Sequence, residues 1–100
     1  MSKIPYRYEE VIQLGEVTIS PDFTIKHPVT GQIYYWEHFG KMDDPIYAKN
    51  VCDKIQLYIS HGIIPSVQLI TTYETKGNPL SSETVKRMIQ VYFGDEEDIG

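Results

Sequence analysis

The sequence predicts an α+β domain in the order β-β-β-α-β-α, a mixed sheet built around an antiparallel hairpin with two helices packed on it. Three observations carry that expectation. Pro21 to Gly40, PDFTIKHPVTGQIYYWEHFG, reads as two strands joined by a short loop. Two stretches, opening at Asp44-Pro45 and Ser81-Ser82, repeat apolar residues at three- and four-residue spacing. Between them, Val67 to Tyr73 is a run of β-branched and aromatic residues that is apolar on both faces.

Met1 to Tyr8 reads as an arm or the entry to a first strand, with Pro5 opposing a helix. Glu9 to Leu14 is compatible with a strand or a short helical turn, and periodicity does not decide. Gly15 breaks it. Glu16 to Ile19 alternates polar and apolar residues and leads through Ser20-Pro21 into the hairpin, giving an antiparallel meander of three strands. Within the hairpin, Asp22, Thr24 and Lys26 share one face, and Phe23, Ile25 and His27 the other. Pro28 to Gly31 is the loop, and Gln32 to Phe39 the second strand.

After the loop Gly40 to Asp43, Asp44 is a capping side chain followed by proline at the first helical position. Tyr47, Ala48, Val51, Cys52, Ile55, Tyr58 and Ile59 form the apolar face of that helix. Lys49, Asn50, Asp53, Lys54 and Gln56 take the other face, and Gly62 ends it. Val67 to Tyr73 is expected as a central strand reached by a crossover. Lys76 to Pro79 is a turn, Ser81 or Ser82 caps the second helix, and Gly94 stops it. Val85, Met88, Ile89, Tyr92 and Phe93 are its buried stripe.

One hundred residues bound the chain to a single domain, taken as 1–94, with 95–100 as a disordered acidic tail. A hydrophobic fraction of 41% and eight tyrosines fit a globular chain. The net charge of −5, four of it from Asp95-Glu96-Glu97-Asp98, argues against tight nonspecific binding of duplex DNA by this domain alone. There is no long apolar run and no charged-then-apolar leader. The lone Cys52 rules out a disulfide framework and reads as core; the expected compartment is a reducing cytoplasm.

No glycine-rich phosphate loop, paired-cysteine or HExxH metal spacing, or GxSxG nucleophile elbow is present. His27 falls at a turn and His61 at a helix C-terminus, where the dipole favours a cation. The informative pair is Asp22 and Glu37. If His27 and Gln32 close the hairpin loop, Asp22 stands opposite Glu37 with Cβ atoms roughly 4.5–5.5 Å apart. Two like charges so placed repel unless a cation sits between them, and hard divalent cations take carboxylate oxygens. A one-residue slip would pair Asp22 with His38 instead. The plainer reading makes Asp22 a turn residue and Glu37 a solvated one. Tyr34, Tyr35, Trp36 and Phe39 weigh against it, because a carboxylate in such a run is buried and buried carboxylates need partners. His38 points to the face opposite Glu37 and reads as packing or hydrogen bonding. Thr72 and Glu74 form a further polar cluster or a plain sheet edge.

Pro21-Asp22-Phe23, a short hairpin, then Tyr35-Trp36-Glu37-His38-Phe39-Gly40 resembles the PD-(D/E)XK, or restriction-endonuclease-like, nuclease superfamily. The nearest flavour is the small single-domain branch that includes very-short-patch repair endonucleases, together with bacterial domains carrying a YWEHFG motif. The resemblance spans about Tyr8 to Phe93. It implies a metal-dependent phosphodiesterase acting on DNA, with Asp22 and Glu37 binding Mg²⁺ (or Mn²⁺), the backbone carbonyl of His38 completing the shell, and Glu9 or Glu10 assisting. The motif lysine would fall at position 39, which is Phe39; Lys41 and Lys26 are the nearest substitutes. A DNA partner then implies help from another domain or subunit. The alternative is a catalytically degenerate module of the same fold used for binding or assembly. A third reading is an unrelated homodimeric interaction domain with Tyr34-Tyr35-Trp36 at its interface.

Overall fold

The computed structural model describes residues 4–94. The expected tail at 95–100 therefore lies outside the described residues, as do Met1 to Lys3. Eight elements follow in order: β1 (Tyr6–Tyr8), β2 (Ile12–Leu14), β3 (Val17–Ile19), β4 (Phe23–Lys26), β5 (Ile33–Phe39), α1 (Pro45–Ser60), β6 (Leu69–Tyr73) and α2 (Ser82–Phe93). They form a mixed four-stranded sheet in the order β1-β4-β5-β6 and a separate two-stranded hairpin, β2-β3. The fold is α+β, as the sequence predicts.

The hairpin register is the one deduced from loop closure. His27 N–H donates to the Gln32 carbonyl at 2.8 Å, and Phe23, Thr24, Ile25 and Lys26 pair with Trp36, Tyr35, Tyr34 and Ile33. The three-stranded meander is corrected. β3 pairs with β2, not with β4, and the outer neighbour of β4 is β1, antiparallel with Tyr8 opposite Phe23. Ser20 and the fully buried Pro21 interrupt the chain between β3 and β4. Tyr6 to Tyr8 takes the vacant edge, tied by Lys26 N–H to the Pro5 carbonyl and Glu9 N–H to the Asp22 carbonyl, each 3.0 Å.

β6 joins β5 in parallel, with Glu37 beside Thr71 and His38 beside Thr72. It lies at the end of the strand order rather than in the middle, yet Leu69 and Ile70 are both fully buried. Successive strand residues point to opposite faces, so these two side chains serve two cores. Ile70 packs with Ile4, Ile25, Trp36 and Phe93 under the apolar stripe of α2, including Val85, Met88 and Ile89. Leu69 packs with Leu14 of the small hairpin and Tyr58 of α1. Helix coverage of both faces, not a central position, explains the doubly apolar sequence.

Both helix starts follow from the chain. Asp44 accepts from the Ile46 and Tyr47 N–H groups ahead of Pro45, and Ser81 accepts from Thr84 N–H. The core-facing stripe of α1 is narrower than the apolar pattern suggests. Val51 and Tyr58 are buried, Ile59 is 40% exposed, and Cys52 is exposed rather than core. Tyr34, Tyr35 and Trp36 are spent inside the molecule: Tyr34 meets Tyr92 and Phe93, Tyr35 stacks on Tyr58, and Trp36 is buried. No helix among the described residues is long and apolar enough to cross a membrane.

Because β6 anchors two cores, Leu69→Ala and Ile70→Ala are each expected to lower stability by about 2–5 kcal/mol in urea denaturation. Ile46→Ala, at a site 75% exposed, should change it by less than about 0.5 kcal/mol.

Candidate functional site

Hydrogen bonding along the hairpin decides what Asp22 and Glu37 can do. His27–Gln32 is a hydrogen-bonded pair, and such pairs alternate along an antiparallel ladder. Continued past Phe23–Trp36, the register sets Asp22 opposite Glu37 at a position of the wider kind, where opposed side chains approach most closely. The next backbone pair would be His38 with Pro21. Proline has no N–H, so the His38 carbonyl faces a residue that has none to donate. The matching His38 N–H is taken instead by Asp22 Oδ2, at 2.7 Å. Asp22 thus closes the open end of the ladder with its own side chain and keeps Oδ1 for another partner.

Glu37 is the buried acid of the pair, with its side chain 3% exposed. Burying a carboxylate is costly unless it is paired and hydrogen-bonded. α1 provides both partners at a single oxygen: Tyr58 donates its hydroxyl to Oε2 at 2.7 Å, and Lys54 Nζ stands 2.6 Å from the same atom. Tyr58 is itself fully buried, and burial together with the neighbouring Glu37 carboxylate raises its phenol far above the ordinary value, so it stays a donor. The charge of Asp22 adds to that rise, which brings Asp22, Glu37 and Tyr58 into one electrostatic neighbourhood. Each acid therefore has one oxygen engaged by the protein and one left over.

Lys54 was assigned to the solvent face of its helix; it is instead the ammonium of the site. The signal was in the spacing, since Val51, Lys54 and Tyr58 are related by three and four residues and lie along one helix stripe. Lys26 and Lys41 are exposed, and Lys26 runs over the hairpin loop near Gly31. Phe39, at the motif-lysine position, is 4% exposed and packs against Tyr73. Glu9 is exposed with φ of 52°; its backbone N–H supports the Asp22 carbonyl, and its carboxylate binds the Tyr8 phenol, raising the pKa of that phenol. Glu10 is exposed and lies 3.9 Å from Arg7. Among the described residues no group of three or more His, Cys, Asp or Glu side chains could hold a metal ion. The available donor set is two carboxylate oxygens and a backbone carbonyl, all hard oxygens. That suits Mg²⁺, which is commonly held by one or two carboxylates and keeps several waters.

The His38 ring lies on the opposite face, as strand alternation requires. There Trp36 Nε1–H donates to Thr72 Oγ1 at 3.1 Å, His38 Nδ1 lies 2.9 Å from that hydroxyl, and His38 Nε2 lies 2.7 Å from Glu74 Oε1. Leu80 N–H donates to the other Glu74 oxygen at 3.0 Å. An ionised Glu74 fixes the proton of His38 on Nε2, leaving Nδ1 to accept from Thr72. Every polar group of the relay is satisfied. It borders an apolar cavity of about 440 Å³ between the sheet and α2.

Two outcomes follow. Removing the ammonium at Glu37 by Lys54→Met should cost about 3 kcal/mol, the lower end for breaking a buried pair because Lys54 is one-third exposed; the double variant Lys54→Met/Glu37→Gln should recover part of it in denaturant titrations. Glu74 is held below its ordinary value of 4.5, first by the hydrogen bond from His38 and then by Leu80 N–H. A lowered folded-state pKa adds stability above about pH 4.5, and that stability is lost as pH falls through the folded value. The Tm of Glu74→Gln should therefore fall less steeply than that of the parent below that pH.

Compared with family models, with curated proteins and with solved structures, the chain matches none.

Proposed function

We propose that this domain is a metal-dependent phosphodiesterase acting on DNA, with Asp22, Glu37 and the His38 carbonyl holding Mg²⁺ or Mn²⁺. The observation that carries this reading is the division of labour among carboxylate oxygens: Asp22 Oδ2 and Glu37 Oε2 are engaged by His38 N–H, Tyr58 and Lys54, so one oxygen of each opposed acid remains. The cation supplies Lewis-acid stabilisation of a phosphate and an activated water. The chain's own residues do the rest. Tyr58 and Lys54 fix the rotamer of Glu37, and the His38 N–H fixes that of Asp22. The Lys54 ammonium neutralises the buried acid and, one-third exposed, is available to a phosphate oxygen. Glu9 supports Asp22 through the backbone rather than as a ligand.

The non-catalytic alternative rested largely on Phe39 in place of a lysine. Lys54 supplies an ammonium to the same carboxylate from α1, which removes that argument. The acidic net charge still points to another domain or subunit for grip on the nucleic acid.

The test is incubation of plasmid and single-stranded DNA with parent, Asp22→Asn and Lys54→Met proteins in Mg²⁺ or Mn²⁺. The parent should cut, and Asp22→Asn should cut at least about 100-fold more slowly. Cutting that persists in Asp22→Asn overturns the reading. A parent that binds the cation in calorimetry but never cuts is the assembly module instead.

A further inference from the structure

Thr24 stands on the same sheet face as Asp22 and Glu37, two residues along β4 from the first and diagonal across the ladder from the second. It is 9% exposed, and its Oγ1 is the one buried side-chain polar atom among the described residues without a hydrogen-bond partner. A buried hydroxyl left unpaired destabilises a fold. Valine has the same shape and β-branching, and would remove that cost. The three partnered buried groups nearby set the contrast: Glu37 is bound twice, Tyr58 once, and Thr72 by Trp36. Only Thr24 has nothing.

Resting on the reading above, we infer that the Thr24 hydroxyl is a positioning group for the cation, binding a water of its hydration shell. Diagonal residues on paired strands are roughly 7–8 Å apart, too far for the hydroxyl and Glu37 to share an ion directly but suited to one intervening water. Mg²⁺ in a two-carboxylate site keeps several waters, and their other hydrogen bonds must be made by the protein. Thr24 thus extends a donor set of two acids and a carbonyl by a neutral outer ligand, and its lost stability in the metal-free protein is recovered when the ion is present.

The experiment uses calorimetric titration of Mn²⁺ into EDTA-treated parent, Thr24→Val and Thr24→Ser proteins, with melting curves of each in EDTA. Thr24→Val should bind Mn²⁺ about 10–100-fold more weakly while melting roughly 4–8 °C higher in EDTA. Thr24→Ser, which keeps the hydroxyl, should bind within about threefold of the parent. The opposed signs separate this role from a structural one, which would lower binding and melting together. Unchanged Mn²⁺ affinity in Thr24→Val, or a lower melting temperature in EDTA, overturns the inference alone. Absence of Asp22-dependent Mn²⁺ binding in the parent overturns the phosphodiesterase reading, and this inference with it.

Discussion

A carboxylate buried to within a few per cent of complete exclusion from water is the constraint that the rest of this domain answers. Glu37 sits in the strand between the hairpin and the parallel crossover, and its solvation must be replaced by protein. The replacement comes from one helix, two residues one turn apart, delivered to one oxygen. The crossover therefore does two jobs. It buries Val51 and Tyr58 against the sheet, and it positions the ammonium and the hydroxyl that make Glu37 tolerable.

The two faces of the sheet divide the work. The α2 face is a dry core, where Trp36, Thr72, His38 and Glu74 form a closed hydrogen-bond relay beside apolar side chains. The α1 face carries the acids, the ammonium and an unpaired hydroxyl. His38 links them without mixing them: its backbone N–H holds Asp22 on one side while its ring is anchored on the other. Strand alternation makes that possible, because one residue presents its backbone in the sheet plane and its side chain to a single face.

Pro21 has a similar double effect. It ends the approach from β3, and by lacking an N–H it leaves the end of the β4–β5 ladder open. Asp22 then uses its side chain where a backbone donor would have acted. An acid held this way is fixed in position at little entropic cost, which is what a preorganised ligand requires.

Local chemistry determined a good deal. The loop between His27 and Gln32 sets the register, and the register alone put Asp22 opposite Glu37. Asp44-Pro45 and Ser81 start the helices because their side chains satisfy free N–H groups within a single turn. What the tertiary structure decided was partnership between distant segments. Whether Tyr6 to Tyr8 or Val17 to Ile19 borders β4 is a competition between two short strands of similar propensity. Whether Lys54 faces water or Glu37 depends on how α1 is rotated about its axis, and Cys52 was misjudged for the same reason. Helical spacing defines a stripe, but the width of the stripe that meets the sheet is set by packing. The hydrogen bonds that orient Glu37 cross 17 and 21 residues of chain, and no local rule in the sequence fixes contacts at that range.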